Sequence, residues 1–125
     1  MYTQEEQAEH RQQWLDALRS GNYQQTRGTL KYDDRFCCLG VACDISGLGE
    51  WVYTSDSKTQ GYTVKDVLLL SVLPKDVMNW LGVSSSTAFD KNMINSLASL
   101  NDLGYGFNDI AKVIENGNIA LVSDS

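Results

Sequence analysis

The sequence predicts a small α+β domain, mostly helical, with a central buried helix and a small antiparallel hairpin or sheet. Three observations predict it. Apolar residues recur at helical spacing near both ends of the chain. The stretch Phe36-Cys37-Cys38-Leu39-Gly40-Val41-Ala42-Cys43 is apolar on all sides, and Trp51-Val52-Tyr53 and Tyr62-Thr63-Val64 flank a polar run. A chain of 125 residues, 42% of them hydrophobic, suits a single domain over residues 1–125 built on one core.

Thr3-Gln4-Glu5-Glu6 fits the T-x-x-E capping box, and Trp14, Leu15 and Leu18 then form a stripe that Gly21 can end. A helix is expected over residues 4–20, with His10 on its polar side. Thr26, Thr29, Leu30 and Tyr32 favour extended backbone, and Asp33-Asp34 marks a turn. The Cys-rich stretch is read as a buried helix whose Gly40 and Ala42 permit close packing. Residues 51–64 form a hairpin with a loose polar tip, and residues 67–73 fit a helix or a strand equally well. Pro74 suits the first position of a helix through Leu81, which Gly82 stops. Asp90 can cap a helix carrying Met93, Ile94, Leu97 and Leu100, and Phe107, Ile110, Ala111 and Ile114 supply a second. These two are expected to pack as a helical hairpin, followed by a short strand over residues 119–122.

A net charge of −6 favours solubility and opposes broad affinity for nucleic acid or anionic membrane. The longest apolar run falls far short of the roughly 20 residues that a membrane span needs. No basic segment followed by an apolar one comes after Met1, as a secretory signal requires. A cytosolic protein with no membrane partner is expected.

Cys37, Cys38 and Cys43 are an odd number, two of them adjacent, with no C-x-x-C and only His10 as an imidazole. That is a poor disulfide framework and a poor metal set, so the thiols are expected to be buried hydrophobes. The rival reading is a small cysteine-dependent hydrolase with Cys37 or Cys38 at a helix start and His10 as base. Apolar neighbours oppose it by raising a thiol's pKa, and no catalytic residue, metal ligand or cofactor is assigned. Asp33, Asp34, Asp102 and Asp109 read as turn formers and caps rather than an acid–base pair. A third reading, a DNA-binding regulator through the C-terminal helical hairpin, leaves Lys112 as the only basic residue of the reading helix.

The arginines are unevenly placed. Arg11, Arg19, Arg27 and Arg35 are the only four, and all lie in the first 35 positions. In an extended segment Arg27, Thr29 and Lys31 share one face, a compact edge for phosphate. A nucleotide-like ligand would then meet Arg27, Lys31 and Arg35 through its phosphates, while Tyr23, Tyr32 or Trp51 stacks on its base.

One pattern runs through most of the chain: Trp14-Leu15-x-Ala17-Leu18-x-Ser20-Gly21, then Phe36-Cys37-Cys38-Leu39-Gly40-Val41-x-Cys43-Asp44, Leu73-Pro74 with Trp80-Leu81-Gly82, and Leu100-Asn101-Asp102-x-Gly104-x-x-Phe107. It resembles a family of small proteins encoded by tailed bacteriophages and prophages, cyanophages included. Gly106 departs from the Ser or Thr expected as the cap of the last helix. The resemblance carries no activity that transfers residue by residue. It implies an accessory role, host takeover or counter-defence, exercised by binding a host protein or sequestering a nucleotide-like signal. The hairpin of residues 51–64 is the expected surface for self-association.

Overall fold

Thr3 opens the first helix through a reciprocal pair of bonds. Its hydroxyl accepts from the Glu6 amide at 3.1 Å, and the Glu6 carboxylate accepts from the Thr3 amide at 2.9 Å. In the computed structural model, which describes residues 2–124, α1 spans Gln4–Arg19 and buries Trp14, Leu15 and Leu18. The enclosed Trp14 indole donates to the Cys38 carbonyl at 2.9 Å, so the ring enters the core with no polar atom stranded.

Three two-residue strands follow: β1 (Gln24–Gln25), β2 (Lys31–Tyr32) and β3 (Arg35–Phe36). The apolar-all-round stretch is a helix, α2 (Cys38–Ser46), ended by a left-handed Gly47, and Cys38 through Cys43 are all buried. Strands β4 (Glu50–Tyr53) and β5 (Thr59–Val64) form the expected hairpin. Its tip is not loose. The Asp56 carboxylate accepts from the Lys58 and Thr59 amides and from the Thr54 and Thr59 hydroxyls, which holds its pKa well below the ordinary carboxylate range.

The open choice at residues 67–73 resolves to a strand, β6 (Val67–Leu69), antiparallel to β5. The mixed sheet runs β1-β3-β2-β5-β4, with β6 sharing the β2 side of β5; only β1 and β3 are parallel. Helix α3 (Lys75–Leu81) starts after Pro74 and ends at a left-handed Gly82. Its last carbonyls, on Asn79, Trp80 and Leu81, accept from Gln7, His10 and Arg11 of α1 at 2.8, 2.6 and 2.7 Å. The His10 ring also stacks on Trp80 at 4.0 Å. His10 is therefore a packing residue, not a solvated one, because a helix end needs donors for its orphan carbonyls.

Helix α4 is shorter than its apolar spacing predicts. It spans Leu97–Asp102 with Ser96 as its cap, while Met93 and Ile94 stay exposed. The Asp90 carboxylate instead closes a turn by accepting from the Ile94 and Asn95 amides. Helix α5 (Phe107–Glu115) buries Phe107, Ile110, Ala111 and Ile114, although Gly106 gives it no side-chain cap. It packs chiefly against α1, where Arg19 grips Glu115 at 2.8 and 3.1 Å, and α4 packs against α2 as much as against α5. The expected helical hairpin is thus two helices serving different neighbours. The expected terminal strand reduces to a bridge between Leu121 and Val83, followed by a 3-10 turn. Among the described residues the fold is α+β: five α-helices and one mixed sheet around a single apolar cluster.

Candidate binding surface

Cross-strand register decides where the arginine- and tyrosine-bearing segment points. Lys31 pairs with Phe36 and Gln60, which puts it on the inner face of the sheet. Its ammonium lies 4.8 Å from the Phe36 ring centre and 5.3 Å from that of Trp51. The rings continue as a row, Tyr23 on Phe36 at 5.0 Å, Phe36 on Trp51 at 5.7 Å and Trp51 on Tyr62 at 4.9 Å. Asp44 closes the row by accepting from the Tyr23 hydroxyl at 2.6 Å and the Trp51 indole at 3.0 Å. Burial, and then the Asp44 carboxylate, push the Tyr23 phenol well above its ordinary value. Tyr23, Lys31 and Trp51 are thus brought together, but around a cation of the protein's own. A phosphate entering here would face Asp44, and a base would have to displace Lys31 from its rings.

The remaining expected residues lie elsewhere. Arg35 pairs with Tyr32 and Gln24, so Arg35 and Tyr32 occupy the outer face, opposite Lys31. Arg27 sits between β1 and β2, its guanidinium nitrogen 3.2 Å from where a Cβ on Gly104 would stand. Gly28 at φ +78 turns the chain there, so Arg27, Thr29 and Lys31 do not alternate along an extended edge. The Thr29 hydroxyl donates to the Leu70 carbonyl instead. The compact phosphate edge is not formed.

The outer face has its own character. Leu68 and Leu70 fold over Gly61, each with a methyl 2.7 Å from the position of an ideal Cβ, and Val52 and Tyr32 flank them. These four side chains are 38–47% exposed and have no cover among the described residues. The hairpin's aromatics share the opposite, inner face, where Tyr62 is buried, Trp51 half-buried and Tyr53 61% exposed. β4 is also an edge of the sheet, paired only with β5. The Thr54 amide donates to the Thr59 carbonyl at 2.8 Å, which fixes the alternation of the ladder. Val52 is then the next residue bonded to β5, and the backbone groups of Trp51 and Tyr53 point away from the sheet.

A family model described as a domain of unknown function, DUF8296, matches residues 6–118. The chain belongs to this family. No curated protein and no solved structure matches it. The span shared with DUF8296 takes in the aromatic row, the outer face and the whole of α2.

The thiols of this DUF8296 member are interior. Cys37 is 5% exposed and Cys38 and Cys43 are fully enclosed. The Cys37 sulfur caps α2 by accepting from the Gly40 amide, and burial pushes its thiol up to about 11 despite that bond. Burial also raises the Cys38 and Cys43 thiols well above their ordinary value, and the Cys38 thiol faces the Leu97 carbonyl. His10, bonded to α3, is not at their side. In mildly alkaline buffer a thiol reagent is therefore expected to label the native protein orders of magnitude more slowly than the urea-unfolded chain. Fast labelling of Cys37 in the folded state would contradict the burial argument. Among the described residues no three metal-ligating side chains are grouped, and no helix is long and apolar enough to cross a membrane.

Proposed function

We propose that this is a phage accessory protein of the host cytosol that acts by binding a host protein, not by catalysis. It does so as two copies joined along β4. The observation that carries this reading is an unblocked edge strand lying beside an uncovered apolar face. Proteins ordinarily blunt such an edge with lysine, proline or a bulge. Glu50-Trp51-Val52-Tyr53 has none of these and carries one charge, at its start.

The edge is self-complementary. With Val52 on a twofold axis, the outward amide and carbonyl of Trp51 meet those of Tyr53 in the second copy. Glu50 then stands opposite Thr54, so no like charges face each other. The joined sheet brings two Val52 side chains together and extends the Leu68 and Leu70 strip across both copies, a surface suited to an apolar host partner. The nucleotide reading is weaker, since its cations are divided between two faces and Asp44 sits among its rings.

Sedimentation tests the pairing. The native protein is expected at about twice 13.9 kDa. Tyr53→Pro removes an outward N–H that β5 does not use, at an edge where proline is tolerated. It is expected to sediment as one copy with an unchanged circular dichroism spectrum. Because each copy carries −6, added salt should tighten the pair by screening their repulsion. A native protein that stays a single copy at every concentration and salt overturns the reading.

A further inference from the structure

A cavity of about 480 Å³ opens between the β5–β6 turn, α3 and the connection from α2 to β4. Tyr2, Leu48 and Val64 give it apolar walls, and Lys65, Asp76 and Asn79 bring polar groups to it. Its size lies within the range of small-molecule sites, which combine apolar lining with a few convergent polar groups. None of these residues belongs to the aromatic row or to the β4 edge.

The polar groups have a definite arrangement. The Lys65 ammonium stands 3.3 Å from one carboxylate oxygen of Asp76. The pair leaves further ammonium protons and the other carboxylate oxygen unused. The carboxamide of Asn79 bonds to no other described residue; only its backbone carbonyl is taken, by Gln7. The backbone places Lys65 in an unfavourable turn at the cavity mouth, with its side chain 82% exposed and the Asp76 partner 34% exposed. Lys65 and Asp66 form the two-residue link from β5 to β6, with φ of +51 and +67. Both positions are left-handed, where Asn-Gly is the usual choice because other side chains strain the backbone. An asparagine would fit the turn better, but only the lysine carries a cation to the cavity mouth.

We infer that this cavity binds a free α-amino acid with a large apolar side chain. A simple anion would be repelled by Asp76 and a simple cation by Lys65. A molecule bearing both charges on one carbon matches two protein charges that stand side by side. Its carboxylate meets Lys65, its ammonium meets Asp76, and Asn79 can donate to one or accept from the other. The side chain then lies against Leu48, Val64 and the Tyr2 ring.

Calorimetric titration of the full-length protein with L-phenylalanine and L-leucine tests this. At least one is expected to bind, and N-acetyl-L-phenylalanine and L-phenylalanine methyl ester, each lacking one charge, should bind at least tenfold more weakly. Asp76→Asn should abolish the preference for the free amine. Lys65→Asn should weaken the amino acid at least tenfold while melting no lower than the parent, since asparagine relieves the turn. That opposition of binding and stability separates a ligand contact from a structural one. The inference fails if neither amino acid binds, if the blocked derivatives bind equally well, or if both variants retain full affinity.

Discussion

Replacing Gly40 by alanine is expected to cost about 4 kcal/mol or more of stability. At an exposed helical position the same change would stabilise by up to about 1 kcal/mol, because alanine is the better helix former. Here the added Cβ would stand 2.0 Å from the Leu30 carbonyl oxygen and 2.9 Å from its carbon. The obstacle is backbone, not the far end of a flexible side chain. Nor is that backbone free to move, since the Leu30 carbonyl accepts from the Cys37 amide at 3.1 Å and the Leu30 amide donates to Leu70 at 2.7 Å. Relief requires α2 to lift away from this segment, opening space beside Cys38, Leu39 and Val41, all fully enclosed. Overpacking that shifts backbone costs about 1–3 kcal/mol or more, and the voids opened elsewhere add to it. Against a total stability of about 5–15 kcal/mol, a combined loss of about 4 kcal/mol or more is a large fraction of the margin and shifts the melting transition far down. Thermal melting followed by circular dichroism measures it. A Gly40→Ala protein that melts with the parent would mean that α2 is not pressed on Leu30.

The same helix shows which parts of the fold were legible beforehand. A stretch apolar on every side and ended by glycine has to be buried, and Cys38–Ser46 is. The capping box at Thr3 and the stripe of α5 were equally plain, because each signal lies within one turn of the element it defines. Failures came where two local signals competed or where the partner was distant. Met93 and Ile94 have helical spacing with Leu97, but Ser96 offers a cap nearer the residues that α2 buries, and the helix starts there. β6 became a strand because β2 occupies only the first two residues of that side of β5 and leaves the rest to be paired. Nothing within residues 67–73 announces that vacancy.

The candidate surface was legible in composition and not in direction. Tyr23, Lys31 and Trp51 do gather, yet Lys31 and Arg35 part company because their strands pair so that each takes the opposite face. One left-handed glycine, Gly28, undoes the alternation on which the phosphate edge depended. Asp44, which organises the aromatic row, had no signal beyond its place at the end of an apolar run. Lys65 and Asp76 are eleven positions apart and meet through a turn. The only trace of that site in the sequence is a Lys-Asp pair where the turn chemistry favours Asn-Gly.

Asn101→Ala is expected to cost about 3 kcal/mol, and the partner change Asn101→Asp shows why. Asn101 is fully buried at the end of α4. Its carbonyl oxygen accepts from the Cys38 amide at 3.1 Å and the Gln25 carboxamide at 2.8 Å, and its own N–H donates to the Thr26 carbonyl at 2.8 Å. One side chain thus ties α4 to the start of α2 and to the strand segment before Arg27. Alanine strands the Cys38 amide and the Thr26 carbonyl, each at a cost of about 1–3 kcal/mol, while Gln25 keeps its bond to the Tyr105 carbonyl. For a chain of this size that loss should lower the melting temperature by about 10 °C. Aspartate keeps the shape and the acceptor, but when ionised it turns an oxygen toward the Thr26 carbonyl. Protonated, it can donate there as asparagine does. Burial raises its pKa in the folded state, so the folded protein binds the proton more tightly than the unfolded chain. Its stability relative to the parent should therefore be highest in acid and fall as the pH rises through the folded-state pKa. Urea unfolding in mildly acidic and in neutral buffer separates the two variants: a deficit constant with pH for alanine, and one that shrinks on acidification for aspartate. If the aspartate deficit does not shrink, the bond to Thr26 is not what holds α4 to its neighbours.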